Sequence, residues 1–409
     1  MDSAKSKDLT IDPNKIRNIL TLRYEPSQKP LLPILGWKDF VPNIDELSLD
    51  FIEKSIENFI LKKVEDTNVK KISIALSGGV DSSLILTFLN KVLPDVTFEA
   101  ISVKFADSVD ESKNAEKIAE HFGINHHIVF LENYLKELPK AISITKLPFW
   151  DLHWYYVAKK AKTFSKYLAS GDGGDELFAG YTFRYRKFLS FITPKSSAFE
   201  KTKAYLKCHE WDYVPDQEQL FGEKIPFSWD QIHNIILPYF DNSLSVLEQL
   251  FLADYNGKLM YNFAPMNHKI NSYFELYSIT PLLSPEIITF ATHLPSQFKY
   301  DEQKNLGKIP LRKLLIKYNL DHLISKEKQG FSVNTINLWQ SYGKQLCEHY
   351  LSDARIVKDG WINKNWIKKH IGKNEIDIRY VNKFLGLLAF EIWYRLFVTE
   401  ELKPNTNLN

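Results

Sequence analysis

Cysteine is scarce in this chain of 409 residues, because the sequence contains only Cys208 and Cys347, far apart from each other. This spacing argues against a disulfide framework, a structural zinc site and a dithiol redox motif, and it favours a reducing, cytoplasmic compartment. An excess of one charge is also lacking, since 52 basic and 50 acidic side chains leave a formal net charge of +2. We therefore expect neither nucleic acid nor an acidic membrane as a partner.

Long hydrophobic runs are missing as well. The N-terminal residues MDSAKSKDLT contain no apolar segment of the kind found in signal peptides, so we expect no secretion. The most apolar late segment, residues 384–398, is short for a membrane span and contains Glu391 and Arg395. We predict a buried helix at this position.

From residue 72 onward, short apolar runs alternate with segments of helical spacing. The runs predict strands at 72–76, 98–103, 126–131 and 167–169, and the spacing predicts helices at 83–93, 110–123 and 155–164. Parallel strands need crossover connections, so this alternation predicts an α/β fold with a doubly wound parallel sheet and helices on both faces. After Tyr181 helical patterns dominate. We predict an N-terminal arm at 1–50, an α/β core at 51–190 and a mainly helical part at 191–409.

The segment SGGVDSS, residues 77–83, follows the first predicted strand. A glycine-rich turn into a helix can direct backbone N–H groups and the positive helix end at an anion, so this loop suits a phosphate. It is not a Walker loop, because no Gly-Lys pair in the chain is followed by Ser or Thr. Asp81 would repel a bare phosphate but attract one through magnesium, which predicts Mg-pyrophosphate or Mg-ATP as ligand. The alternative is a capped tight turn without a ligand.

A second acidic glycine loop, SGDGGDE at residues 170–176, follows the run at 167–169. In a parallel sheet, two loops that follow strands lie at the same carboxyl edge, where ligands bind. The two loops could therefore share one magnesium ion. The alternative is a solvated turn whose acidic residues begin a helix.

These two loops together resemble a known family. SGGVDS resembles the pyrophosphate loop of the N-type ATP pyrophosphatases, and SGDGGDELFAGY resembles a signature of their asparagine synthetase branch, which includes the β-lactam synthetases. KEKQGF at residues 326–331 is similar to the late basic loop of that branch, and residues 384–397 are similar to its C-terminal helix. The resemblance covers about residues 50–398.

The resemblance implies a role for each matching residue. It implies adenosine contacts from Leu76 and Val103. It implies pyrophosphate contacts from Ser77, Gly78, Gly79, Asp81 and Ser82. It implies contacts to the AMP portion from Ser170 and Gly171. It implies magnesium ligation by Asp81 and Asp175. Asp172 would help to remove a proton from the attacking amine, and Lys328 would stabilise charge that develops on the phosphates.

The reaction that the resemblance implies is ATP-dependent formation of an amide. A carboxylate, most simply that of aspartate, would become an acyl-adenylate with release of pyrophosphate, and ammonia or an amine would then displace AMP. Residue 2 is aspartate, where the glutaminase domain of related enzymes has its cysteine nucleophile, and residues 20–26 are similar to the end of that domain. We therefore expect nitrogen from free ammonia, from a separate glutaminase chain or from a substrate amine.

Two departures from the family pattern bear on the acceptor. Ile279 and Ser284 stand where relatives have an arginine and an aspartate. Their loss weakens the case for aspartate and favours a specialised ligase of the β-lactam synthetase kind, unless the family pair is structural. The acidic Asp172 favours the interpretation as an asparagine synthetase-like ligase. An RNA-modifying pyrophosphatase and a non-catalytic nucleotide-binding protein are the remaining alternatives.

Overall fold

The computed structural model describes residues 11–65, 67–106, 108, 110, 112–324, 334–373 and 376–408. Its centre is a five-stranded sheet with the spatial order β3-β2-β1-β4-β5, in which every pair of neighbours is parallel. The strands are β1 Lys71–Ala75, β2 Thr97–Phe105, β3 Asn125–Leu131, β4 Tyr167–Ala169 and β5 Tyr277–Ile279. The predicted α/β fold with a parallel sheet is confirmed.

Helices supply most of the remaining structure. The α-helices are α1 Pro13–Leu22, α2 Leu49–Val64, α3 Val80–Val92, α4 Ser112–His121, α5 Leu138–Thr145, α6 Trp154–Ala161, α7 Gly174–Leu177, α8 Thr182–Phe191, α9 Ala198–Cys208, α10 Gln217–Leu220, α11 Trp229–Ile236, α12 Val246–Asp254, α13 Ala264–Tyr273, α14 Pro285–His293, α15 Ile309–Lys317, α16 Thr335–Leu338, α17 Lys344–Leu351, α18 Arg355–Lys358, α19 Lys364–Ile371 and α20 Ile378–Phe397. Two π-helical segments lie at Tyr255–Phe263 and Trp339–Gly343. Short 3-10 helices lie at Trp37–Phe40, Leu237–Tyr239, Pro281–Leu283, Ser296–Phe298 and Asp321–Leu323.

The two faces of the sheet are covered by different helices, because side chains alternate along each strand. Ile72 and Ile74 of β1 belong to a core cluster that includes residues of α2, α3 and α15. Ala75 and Ile101 belong to a second cluster that includes residues of α5, α6 and α20. The sheet is therefore buried on both sides, as parallel sheets usually are.

The apolar segment near the C-terminus forms the buried helix that was predicted. It lies within α20. Glu391 is fully buried there, and its burial is tolerated because its carboxylate accepts hydrogen bonds from the N–H groups of Arg355 (2.9 Å) and Ile356 (3.0 Å). None of the helices in the described ranges combines the length and apolar character needed to cross a membrane.

Strand β5 was not predicted. It has three residues, and Ile279 pairs with Ala169 of β4 although more than a hundred positions separate them in sequence. A run of three residues is too short to show the alternation that identifies a strand, so tertiary pairing decides its conformation. The pairing matters for function because it fixes the end of β4, from which the second glycine loop emerges.

Candidate active site

The first glycine loop connects β1 to α3. Gly78 has a φ of 73°, a left-handed conformation that favours glycine. The Ser77 N–H donates to Ser82 Oγ at 3.2 Å, and Ser83 Oγ donates to the Gly79 carbonyl at 2.6 Å. These bonds hold a compact turn that places the N-terminus of α3 at the carboxyl edge of the sheet, where it can face an anion.

The second glycine loop follows β4 and touches the first. Its start is fixed because the Ser170 N–H donates to the Ile279 carbonyl of β5 at 3.0 Å. A Cβ atom at Gly171 would lie 2.6 Å from the Cβ of Asp81 and 2.9 Å from the Ser82 nitrogen, and a Cβ atom at Gly174 would meet the Asp81 carboxylate. Only glycine at these two positions lets the loops approach so closely.

A lysine joins the acidic residues of the two loops. Lys308 Nζ lies 2.5 Å from Asp81 Oδ2 and 2.7 Å from Asp175 Oδ1, and we call these three residues the carboxylate–lysine cluster. Lys308 directly precedes α15, and its own N–H donates to the Phe178 carbonyl at 2.8 Å. Burial disfavours the ammonium, but the carboxylates of Asp175 and Asp81 outweigh this effect and raise the pKa of Lys308. Lys308 therefore stays charged at neutral pH.

Asp172 has a different environment from the two clustered aspartates. Asn267 of α13 donates from Nδ2 to Asp172 Oδ2 at 3.0 Å. Burial raises the pKa of Asp172, while the hydrogen bonds from Asn267 and Ser170 work in the opposite direction. A carboxylate with a raised pKa can take up a proton more readily near neutral pH.

One cavity of about 320 Å³ unites these groups. It is lined by the predicted site residues Ser77, Gly79, Asp81, Ser82, Ser170, Gly171, Asp172 and Asp175. Further polar residues of the wall include Lys308, Arg312 and Asn267, and Trp154, Leu259 and Phe263 contribute apolar surface.

Three of the predicted site residues that the structure describes are not in this lining. Leu76 and Val103 are buried in the two core clusters at 0% and 4% exposure, and the Leu76 N–H pairs with the Ile101 carbonyl at 2.9 Å. Gly78 packs against Asn114 and Ala115 of α4, where a Cβ atom would lie 2.7 Å from the Asn114 Cβ. Lys328 lies outside the described residues.

Lys308 and Asn267 are the residues that sequence reasoning missed. Lys308 belongs to a Gly-Lys pair, and such pairs were considered only to exclude a Walker loop. A signal was present, because a lysine between Gly307 and the Ile309-Pro310 start of a helix sits where an anion could meet a helix N-terminus. Asn267 carried no comparable signal, since it lies within an ordinary helical segment.

The two departures from the family pattern have structural roles here. Ile279 is fully buried in the core cluster around β1 and pairs with Ala169. Ser284 is also fully buried and caps α14, because its Oγ accepts from the Ile287 N–H at 3.3 Å. Serine and aspartate are both good N-cap residues, so this exchange preserves the cap.

The cluster also fits a magnesium ion bound together with a nucleotide. Magnesium prefers oxygen ligands and is commonly held by one or two carboxylates plus the phosphates of a substrate. Asp81 and Asp175 supply two carboxylates that already converge on one positive charge. Within the described part of the chain no group of three or more His, Cys, Asp or Glu side chains could hold a metal alone, so phosphate oxygens would have to complete the coordination.

Comparison with known proteins agrees with this geometry. The sequence model of the family described as asparagine synthase matches residues 67–395. The chain belongs to this family. The predicted resemblance is thereby confirmed, and it assigns the chain to a group of ATP-dependent amide ligases.

Individual relatives within the asparagine synthase family differ widely in how much of this chain and of their own length the match covers. Asparagine synthetase [glutamine-hydrolyzing] 1 of Bacillus subtilis is 24% identical over 404 residues, which cover 85% of this chain and 61% of the relative. The asparagine synthetase of Gallus gallus is 29% identical over 159 residues, 36% of this chain and 27% of its own length. The chain thus spans about three fifths of the Bacillus protein.

Among solved structures, NMN synthetase from Francisella tularensis aligns with 56% of this chain and 94% of its own, at 16% identity and a TM-score of 0.26. A score this low adds nothing to the assignment.

Proposed function

We propose that this protein activates a carboxylate with ATP, releases pyrophosphate and joins the resulting acyl-adenylate to ammonia or an amine. The side chain of aspartate is the simplest acceptor. The observation that carries the proposal is the carboxylate–lysine cluster, in which Asp81 and Asp175 from separate glycine loops lie 2.5 and 2.7 Å from Lys308 Nζ. Family membership supports the same class of reaction.

We assign phosphate binding to the two glycine loops and Lys308. The backbone N–H groups at the start of α3 face the carboxyl edge of the sheet, and the absence of side chains at Gly79 and Gly171 permits close approach. Asp81 and Asp175 would hold magnesium, which when bound neutralises phosphate charge. Lys308 would then contact phosphate oxygens directly and stabilise the charge that grows when the carboxylate attacks the α-phosphate. The same role for Lys328 stays a prediction.

The second half of the reaction needs a base. When an amine attacks the acyl carbon, a C–N bond forms, the C–O bond to AMP breaks, and the nitrogen must lose a proton. Asp172 lines the same cavity as the clustered carboxylates, and its raised pKa suits it to accept that proton. Asn267 fixes the carboxylate by its hydrogen bond of 3.0 Å.

Product analysis by mass spectrometry tests the proposal. Purified protein would be incubated with Mg-ATP, aspartate and either ammonium or glutamine, beside Asp81→Ala and the control Asp50→Ala, whose side chain is 78% exposed on α2. We expect asparagine, AMP and pyrophosphate from wild type and Asp50→Ala, and none from Asp81→Ala. Product from ammonium alone would establish ammonia as donor, and product only from glutamine would point to a co-purified glutaminase chain.

Formation of ADP and phosphate would contradict the proposed adenylation. AMP without asparagine would redirect the search to another acceptor carboxylate. A cytoplasmic location and the division into arm, α/β core and helical part also stay predictions.

A further inference from the structure

A second cavity of about 410 Å³ lies beside the nucleotide cavity. The two cavities share Glu176, Tyr181 and Phe263 in their walls. Tyr181 OH donates to Glu176 Oε1 at 2.5 Å, so these two side chains form a bonded partition. On another side, residues 21–24 at the end of α1 close the second cavity. The second cavity therefore adjoins the cavity to which we assign the nucleotide.

The wall of this second cavity carries charges of both signs. It includes the four basic residues Arg23, Arg184, Lys187 and Lys258 and the four acidic residues Glu176, Glu210, Asp212 and Asp254. Several are well buried, such as Lys258 and Asp212, whose side chains are 22% and 6% exposed and lie 2.5 Å apart. Burying such pairs costs solvation, and apolar replacements are often as stable. Their presence in a cavity wall therefore favours recognition of a charged ligand.

The basic side chains have donors to offer beyond these ion pairs. Arg184 contacts Asp254 at 3.3 Å and also His209, and both contacts are made by its Nη1 atom. A guanidinium has five N–H donors and an ammonium three. Arg184 and Lys258 can therefore bind an anionic group of a ligand while they keep their acidic partners.

The charges of the wall suit both ends of a zwitterionic ligand. Glu176 lines both cavities, whereas Lys258 and Arg184 line the second. A cationic amino group is attracted to Glu176 at the partition, and an anionic group to Lys258 and to Arg184, whose guanidinium carbon lies 3.6 Å from the centroid of the Tyr181 ring. Ammonia has no anionic end and does not need a cavity of about 410 Å³.

We propose that the second cavity binds the nucleophile of the amide-forming step, and that this nucleophile is a primary amine carrying a carboxylate. This inference rests on the function proposed above. The bound ammonium first gives one proton to solvent, and the free amine then attacks the acyl carbon beside the Glu176–Tyr181 pair. The C–N bond forms, and AMP leaves with the electron pair of the C–O bond. The second proton, which the nitrogen loses as the amide forms, goes to Asp172. With such a nucleophile the product is an N-acyl amino acid, whereas ammonia in the same step gives a primary amide.

Binding without ATP tests the cavity separately from catalysis. The probes are glycine, β-alanine and γ-aminobutyrate, with propylamine and propionate as analogues that lack one charged group. Titration calorimetry reports affinity. The chain has nine tryptophans, so location is reported by a ligand-induced change in fluorescence that Trp211→Phe abolishes, because Trp211 lines the cavity. We expect at least one amino acid to bind and both single-charge analogues to bind at least tenfold more weakly.

Variants locate the site. Lys258→Met should weaken binding by about 10- to 100-fold, because it removes a charged hydrogen-bond donor, while Lys62→Met, on the exposed side of α2, should leave binding unchanged. If Lys258→Met does not fold, the comparison of probes on the wild-type protein still decides. Equal binding of propylamine and β-alanine, or no binding of any amino acid, would overturn the inference.

Turnover separates this inference from the proposed function. An amide of the bound amino acid, formed with AMP, supports both. A primary amide formed from ammonium with AMP, when no amino acid binds, refutes the amine site and leaves the proposed function standing. Binding of an amino acid without AMP formation from any acceptor carboxylate refutes the proposed function and retains the site.

Discussion

Gly171→Ala should separate the two glycine loops and so disable the nucleotide site. The new Cβ would lie 2.6 Å from the Asp81 Cβ and 2.9 Å from the Ser82 nitrogen. The loops must open by about 0.8 Å to restore an ordinary contact of 3.4 Å. Overpacking of this size costs about 1–3 kcal/mol, and a misplacement near 1 Å costs about 100-fold in rate. We therefore expect the exchange of labelled pyrophosphate into ATP to fall by about 100-fold.

The matched control is Gly372→Ala, because among the described residues no atom beyond its chain neighbours lies within 4 Å of a Cβ atom at that position. Both variants would be compared by pyrophosphate exchange, by Mg-ATP affinity and by urea unfolding. The control should behave as wild type in the first two assays. If Gly171→Ala matched Gly372→Ala in ATP affinity and exchange, the close contact between the loops would not be part of the nucleotide site.

Three further changes test other parts of the structure. Asn267→Leu removes a hydrogen-bond donor from Asp172 and should raise the pKa of Asp172. The acid limb of the pH profile of kcat/KM should then move to higher pH. An acid limb that does not move would show that Asp172 does not act as the base. Ser284→Ala removes the cap of α14 and should lower the free energy of unfolding by about 1 kcal/mol in urea titrations, with Ser284→Thr close to wild type. Burial lowers the pKa of Lys383 to about 7 in the folded protein, against about 10.5 in the unfolded chain. Between these two pH values the unfolded state binds one more proton than the folded state. The free energy of unfolding therefore rises with pH by up to about 1.4 kcal/mol per pH unit. Lys383→Met should lose this contribution, and a difference between the two proteins that does not change with pH would argue against a neutral Lys383 in the fold.

Much of the sheet could be predicted because its strands have local signals. Residues 167–169 were predicted to the residue, and β1 and β2 differ from prediction by one or two residues at each end. A common edge for the two glycine loops also followed from sequence, since loops that follow the strands of a parallel sheet lie at its carboxyl edge. The assignment of Asp81 and Asp175 to one magnesium ion came from the family resemblance.

The remainder of the site depends on long-range packing. Lys308 is 227 positions from Asp81 in sequence, and its position before a helix start indicates an anion site without indicating that it joins the two acidic loops. Asn267 of α13 is 95 positions from Asp172, and no local residue pattern predicts their contact. The sequence left open whether Ile279 and Ser284 mark an altered substrate pocket or a structural exchange, and the structure shows both residues fully buried, with Ser284 as the cap of α14.

The fate of the carboxylate oxygen tests most directly whether the protein adenylates its acceptor. Wild-type protein would be incubated with Mg-ATP, the nitrogen donor and an acceptor labelled with ¹⁸O in its carboxylate, aspartate first, and the nucleotide products weighed by mass spectrometry. Attack on the α-phosphate at the carboxylate–lysine cluster predicts AMP that carries one ¹⁸O atom and pyrophosphate that carries none. Label in orthophosphate beside unlabelled ADP would contradict adenylation and with it the assignment of the cluster.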